Sequence, residues 1–207
     1  MALHEHPQQH RGLHLPTWSR TEPVSTVTGT DQVTADSAAA FAFAGVRVLL
    51  GFVFLWAFFD KAFGWSYATP SAKSWVSGGS PTRGFLKGVS AGPMESTFHS
   101  WAGSGLIDWL FMLGLLGVGI GLVSGVALKL TAVAGTAMMA FMWMAEWPLA
   151  QHTSAGAPTM SSNPVVDYHV MFAAIMIALA VSSAGTAFSL AGRWARLPVV
   201  GHNRWLR

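Results

Sequence analysis

The chain has 207 residues, of which 52% are hydrophobic and 10% are Asp, Glu, Lys or Arg, against about 25% charged residues in an ordinary soluble domain. The formal charge of +3 is small and dispersed, with no basic helix and no aromatic–basic interleaving, which gives no footing for nucleic acid. With no cysteine in the sequence, disulfides, thiolate metal sites, iron–sulfur ligation and persulfide or dithiol mechanisms are excluded in this subunit.

Residues 1–36 hold Pro7, Gln8, Gln9, Arg11, Pro16, Arg20 and Pro23 and no apolar core of a signal peptide. They read as a polar, mobile cytoplasmic tail. Its His4, His6, His10 and His14 match no defined metal-site spacing. Asp36-Ser37 is a helix start signal ahead of a first apolar run over about 38–59. A second run covers about 105–126, and a third about 130–147 after a short turn around Lys129. The fourth, about 165–190, is introduced by Asn163-Pro164, where Asn caps and Pro takes the first helical position.

A bilayer is crossed by about 20 helical residues, and it admits only structures whose backbone groups are satisfied internally. These runs lack strand alternation. The predicted fold is therefore an all-α membrane protein: a four-transmembrane-helix bundle over 37–192, with a long external loop between helices 1 and 2 and a basic cytoplasmic tail over 193–207. The loop, 62–104, carries Trp75, Phe85, Leu86, Phe98 and Trp101 among glycines and prolines, and is expected to form short interfacial or partly re-entrant helices capping the outer mouth. Gly117, Gly121 and Gly125 share a face that lets another helix come close, within the bundle or from a second copy in a homodimer.

Arg20, Lys129, Arg193, Arg196, Arg204 and Arg207 fall on one side of such a bundle, and Lys61, Lys73, Arg83 and Lys87 on the other. The bias places both termini in the cytoplasm, in a cell inner (cytoplasmic) membrane.

Ionisable groups inside membrane helices cost roughly 2.5–3.5 kcal/mol at the centre, so each needs a reason. Arg47 is the deepest: it either holds helix-end carbonyls or snorkels, or it meets a buried partner or ligand. The others gather at the external ends of all four helices: Asp60, Lys61, Asp108, Glu146, Asp167 and His169. Lys61 can snorkel, Asp108 and Asp167 suit helix N-terminal dipoles, and a lone His on an apolar face is usually a satisfied core residue. Glu146 resists such an account, because it ends an outward-running helix where the dipole disfavours anions. Their convergence predicts one polar pocket walled by Trp and Met. In it, Glu146, Asp167 and His169 are the candidate acid–base residues, and Arg47, Asp60, Lys61, Trp65, Asp108 and Trp143 the candidates for binding substrate or a quinone headgroup. No metal, haem or flavin site is evident, and His152 and His169 lie in no haem attachment motif.

The run Arg47-Val-Leu-Leu-Gly51-Phe-Val-Phe-Leu-Trp56, ending in Asp60-Lys61-Ala-Phe-Gly64-Trp65, resembles the first helix of DoxX/DoxD proteins, with its Arg, Gly and outer Lys. Asn163-Pro-Val-Val-Asp167-Tyr-His169 resembles the start of that family's last helix, and the likeness extends over about residues 40–192. It implies a four-helix membrane fold. In the DoxD branch it further implies the large subunit of a thiosulfate:quinone oxidoreductase, which joins two thiosulfates into tetrathionate with quinone as co-substrate and a small DoxA-like partner subunit. Other relatives are accessory proteins of larger complexes, so the resemblance constrains fold more than function.

The leading expectation is a quinone-linked oxidoreductase subunit, with Lys61, aided by Arg83 or Lys87, attracting an oxyanion and Arg47 ordering the pocket from below. The rival is a non-catalytic membrane scaffold or accessory subunit of a respiratory or oxidative-stress complex. A small-solute or proton carrier is disfavoured, since no inverted repeat or broken-helix pair is visible.

Overall fold

The structure, a computed structural model, describes residues 29–203, with side chains described from residue 37 onward except those of 183, 184 and 201. The expected tail over residues 1–28, its four histidines and Arg20, together with Arg204 and Arg207, lie outside the described residues. Among the described residues every regular element is helical, and the one strand-like pairing is an isolated bridge between His152 and Pro158.

Helix α1 runs over Gly29–Phe63. It starts well before residue 38 because nothing in 30–37 breaks a helix, so the polar lead-in continues the apolar run. The apolar part, Ser37–Phe63, has 27 residues, about 40 Å at the α-helical rise, which crosses a ~30 Å hydrocarbon core with some tilt. The helix stops at Gly64, whose N–H donates to Asp60 O at 2.8 Å with φ at +67°. A Cβ there would lie 2.5 Å from Ser71 Cα, so only glycine closes this end.

The connection that follows is a packed cap. It holds two short 3-10 turns (Ser71–Lys73 and Trp75–Ser77) and two short helices, α2 (Arg83–Lys87) and α3 (Glu95–Trp101). Leu86, Val89 and Phe98 bury themselves with Ala145 in a satellite core, joined by Met94, Trp101, Ile107 and Met144. Apolar residues punctuated by Gly and Pro thus fold as short pieces onto the bundle end.

Helices α4 (Gly105–Ser124) and α5 (Leu128–Glu146) form a hairpin whose turn places Gly125 and Ala127 in the left-handed region. Helix α6 covers Tyr168–Val181, and two single turns follow, α7 (Ala191–Trp194) and α8 (Pro198–Gly201). Helix α1 packs along α4, and α5 packs on both α4 and α6. Leu50 and Phe54 of α1, Met112, Leu115 and Leu122 of α4, Ala132 and Met139 of α5, and Met176 and Leu179 of α6 make the common core. The opposite faces expose Leu49, Phe52, Leu110, Leu113, Leu130 and Val133. Helices apolar on every side belong in lipid. Three of them, Ser37–Phe63, Gly105–Ser124 and Leu128–Glu146, are long and apolar enough to cross a membrane, and the chain is a membrane protein on that ground.

The fourth expected helix differs most from the sequence reading. Its regular part has 14 residues, about 21 Å, rather than the run over 165–190. At the start, Asn163 does not cap it: its Oδ1 accepts from the Val165 and Val166 amides in a local turn. Asp167 is the cap, accepting from the amides of His169 and Val170. At the other end the backbone leaves the helix at Ser182 and forms a 3-10 turn over Ser183–Thr186. Backbone that leaves a helix needs donors from elsewhere, and Arg47 donates to the carbonyls of Gly185 and Phe188.

Candidate functional site

Two ends can be told apart by their contents. The capped end holds the C-termini of α1 and α5 and the N-termini of α4 and α6. The turn end holds the α4–α5 turn and the segment after α6.

Arg47 belongs to the turn end. It is 1% exposed, and its Nη1 and Nη2 donate to the carbonyls of Gly185 at 3.2 Å and Phe188 at 3.1 Å. It lies against Gly125, where a Cβ would fall 1.7 Å from Nη1. Gly125 is thus required twice, for its φ of +68° and for this contact, while Gly121 of the same stripe lies against Thr131 of α5. The expected role of Arg47 in ordering a pocket at the far end is corrected: a guanidinium that must satisfy helix-end carbonyls is held at those carbonyls.

Asp60 and Asp108 also prove to be ties between segments. Asp60 is 2% exposed and accepts from the Tyr67 amide at 3.2 Å and the Ala68 amide at 3.0 Å, fastening the chain after α1. Asp108, in the first turn of α4, accepts at Oδ1 from Ser80 Oγ at 2.9 Å, Thr82 N at 3.1 Å and Thr82 Oγ1 at 2.6 Å. Each carboxylate thus joins its helix to the cap through its acceptor oxygens. Trp65 stacks in an aromatic group with Trp56, Phe59 and Phe63 on the outside of α1, the setting of an interfacial belt. Trp143 donates from Nε1 to Val165 O at 3.0 Å and so ties α5 to the segment before α6. Lys61 is half-buried in a separate apolar cavity. The single pocket shared by all these groups, expected from sequence, is not formed: helices that end at one level still point their side chains around the whole circumference.

The three residues expected to handle protons do meet. One ligand-type atom from each of Glu146, Asp167 and His169 lies within 4.8 Å of the others. The geometry follows from the cap. Asp167 turns one oxygen to the first amides of α6, and its Oδ2 lies 2.8 Å from His169 Nδ1. An ionised carboxylate only accepts, so Nδ1 carries the hydrogen, and in the neutral form of the ring the lone pair is on Nε2. His169 is 1% exposed, and Nε2 is buried with no hydrogen-bond partner among the described residues. Burial raises the Asp167 carboxyl, but the His169 ring and the Val170 and His169 amides outweigh it, and the net lies below the usual carboxylate range.

Tyr168 completes the group and was not anticipated. Its hydroxyl donates to Glu146 Oε1 at 2.9 Å, and its ring centroid is 3.9 Å from that of His169. The signal lay in the contiguous Asp167-Tyr168-His169: at a helix start, consecutive side chains fan out and reach different neighbours. Glu146 is exposed, and with Asp167 and Tyr168 it lines a cleft of about 590 Å³ bordered by Phe85, Val89, Met160 and Asn163. Ser154 joins the cleft's outer loop to the cap, its N–H donating to Ser90 O at 2.7 Å and its hydroxyl to Glu95.

Glu, Asp and His in this grouping have the donor types that bind a divalent cation, a capacity the sequence reading did not assign. Both Asp167 oxygens are engaged by the first amides of α6 and the imidazole, and one Glu146 oxygen by the Tyr168 hydroxyl.

Fold and site together define a class: an all-helical membrane protein with an aspartate-oriented histidine and a glutamate at one end of its bundle. No family model matches the chain, and no curated protein or solved structure is significantly similar to it.

Proposed function

We propose that the chain is a DoxX/DoxD-like integral subunit of a quinone-linked oxidoreductase. In this reading four segments cross a cytoplasmic membrane, the fourth being α6 continued by the irregular backbone that Arg47 holds. The capped end faces outward and both termini are cytoplasmic. The observation that supports the reading best is His169, a buried imidazole set by Asp167 with Nε2 lacking a partner among the described residues, next to the exposed Glu146. Such a base takes a proton from a hydroxyl or returns one to a carbonyl oxygen, and Glu146 exchanges it with the outside. Reducing a quinone to a quinol takes up two electrons and two protons. Joining two thiosulfates through a new S–S bond into tetrathionate releases two electrons, so the reaction implied by the resemblance balances with protons delivered at this cluster. The cleft itself carries two carboxylates, Glu146 and Asp167, which repel a dianion. Sulfur chemistry therefore falls to a partner, DoxA-like or part of a larger respiratory complex, and this chain serves the quinone.

A non-catalytic scaffold has one observation in its favour: Arg47, Asp60 and Asp108, all buried, each tie two segments of the chain together. The two readings separate in proteoliposomes containing the full chain and its membrane partners. Thiosulfate-dependent quinone reduction is expected, falling by about 10²-fold in Glu146→Gln and His169→Ala at equal amounts of folded protein. Turnover equal to wild type in both variants, or absent with every partner combination, would leave the scaffold.

A further inference from the structure

The capped end contains a second cavity, of about 530 Å³, between the cap and the helices α4 and α5. Its walls include Phe85, Trp101, Phe111, Met138, Phe141 and Met142, and Lys61 is the one ionisable residue among its lining side chains. Thr82, also in the wall, already donates its hydroxyl to Asp108. Lys61 Nζ has no hydrogen-bond or ion-pair partner among the described residues; Asp60 attracts it through space, but both Asp60 oxygens are taken by backbone amides. An ammonium with free donors facing an apolar space lacks a partner that the protein does not supply. Leu110 and Phe141, 60% and 49% exposed, stand at the rim on lipid-facing surfaces, so the cavity communicates with the bilayer. Five aromatic side chains in the wall, Phe98 among them, fit a flat ring better than a flexible chain.

We propose that this chamber takes the ring of a lipid-soluble quinone, with a ring oxygen accepting a hydrogen bond from Lys61 Nζ and the tail leaving past Leu110 and Phe141. The inference rests on the quinone-linked reading and gives it a location different from the cleft. It also gives Lys61 a different task from the capture of a water-soluble oxyanion, because a doubly charged ion does not enter an apolar chamber. The chamber and the cleft share Phe85 and Ala145 in their linings, so the chamber borders the cleft that Glu146 and Asp167 line.

The test is binding of decylubiquinone to the full chain in lipid nanodiscs, read by quenching of tryptophan fluorescence. Saturable binding is expected, weakened about tenfold or more by Lys61→Met, the loss of one charged donor. Lys61→Arg should stay within a few-fold of wild type, which separates loss of the donor from misfolding. Ala134→Phe, which narrows the exposed rim, should weaken binding too, and Lys129→Met, in the α4–α5 hairpin, should not. Binding kept in Lys61→Met but lost in His169→Ala would place the ring at the cluster and overturn this inference while leaving the quinone-linked reading intact. Displacement by an equal concentration of palmitate would make the chamber a carboxylate site and overturn it as well. No saturable quinone binding by the wild type would overturn both.

Discussion

Arg47 at the turn end and His169 at the capped end are equally buried, each 1% exposed, yet they do opposite things. Arg47 reaches across to Gly185 and Phe188 and holds backbone that has left its helix, with only Nε unmatched. His169 bonds two residues back, to Asp167, and among the described residues its Nε2 is unmatched. The difference separates two uses of a buried polar group in a membrane protein. One joins segments that would otherwise carry unsatisfied carbonyls, and removing it costs stability. The other has its orientation fixed locally and leaves one ring nitrogen without a partner among the described residues; under the proposed function, removing it should cost turnover.

The largest expected effects test the turn end. Gly125→Ala forces a Cβ into the left-handed region and onto Arg47, and should cost about 2–5 kcal/mol of stability. Arg47→Met leaves two carbonyls without donors and should cost a similar ~2–5 kcal/mol. Thermal unfolding in detergent measures both. Quinone turnover per folded molecule should stay near wild type in each. If turnover per folded molecule collapses in Arg47→Met, the two ends are not independent and the comparison breaks.

At the capped end the pattern should reverse. Glu146 is exposed, so Glu146→Gln should change stability by no more than about 0.5 kcal/mol while turnover falls about 10²-fold. Asp167→Asn should act on turnover through the imidazole. The amide nitrogen of Asn can only donate, so Nδ1 must accept, the ring hydrogen moves to Nε2, and the base is lost. A stability loss without a turnover loss in either variant would place the cluster with the scaffold residues.

Asp108 sharpens the comparison because it lies at the capped end but is built like Arg47. Asp108→Ala strands the Thr82 amide and hydroxyl and should cost about 1–3 kcal/mol. Because Pro81 and Thr82 line the chamber, quinone affinity should fall together with the unfolding temperature.

How much of this was legible in the sequence depended on distance along the chain. The apolar runs of α1, α4 and α5 were readable because composition alone decides which segments prefer lipid. The meeting of Glu146, Asp167 and His169 was readable as a level, since helix ends set height. Azimuth was not readable: whether Asp60, Lys61 and Asp108 face one cavity or three depends on how the cap folds, and Tyr67, Ala68, Ser80 and Thr82 take up both carboxylates. The early end of α6 was hidden for a similar reason. Residues 182–190 carry Ser182, Ser183, Gly185, Thr186 and Ser189, which weaken a helix without marking its end, and the donors for the carbonyls of Gly185 and Phe188 come from Arg47, 138 residues from Gly185 in the chain. Asn163-Pro164 misled as a helix start because a second cap, Asp167, stood four residues on.

The smallest expected effect is the most discriminating for Glu146. Tyr168→Phe removes one hydroxyl that donates to Glu146 Oε1 and leaves the ring against His169 and Phe172, whose centroids lie 3.9 Å and 5.9 Å away. As a structural tie the bond contributes about 0.5–1.5 kcal/mol, and losing it would show as a lower unfolding temperature with unchanged turnover. As a steering contact it holds an exposed carboxylate within reach of His169. Its loss then leaves stability within about 0.5 kcal/mol, because the exposed Glu146 carboxylate can bond to water instead. Turnover drops by less than about tenfold, as Glu146 still visits the same position for part of the time. The second outcome is expected, since a surface bond between neighbouring helices stabilises little on its own, while a proton relay depends on where its carboxylate rests.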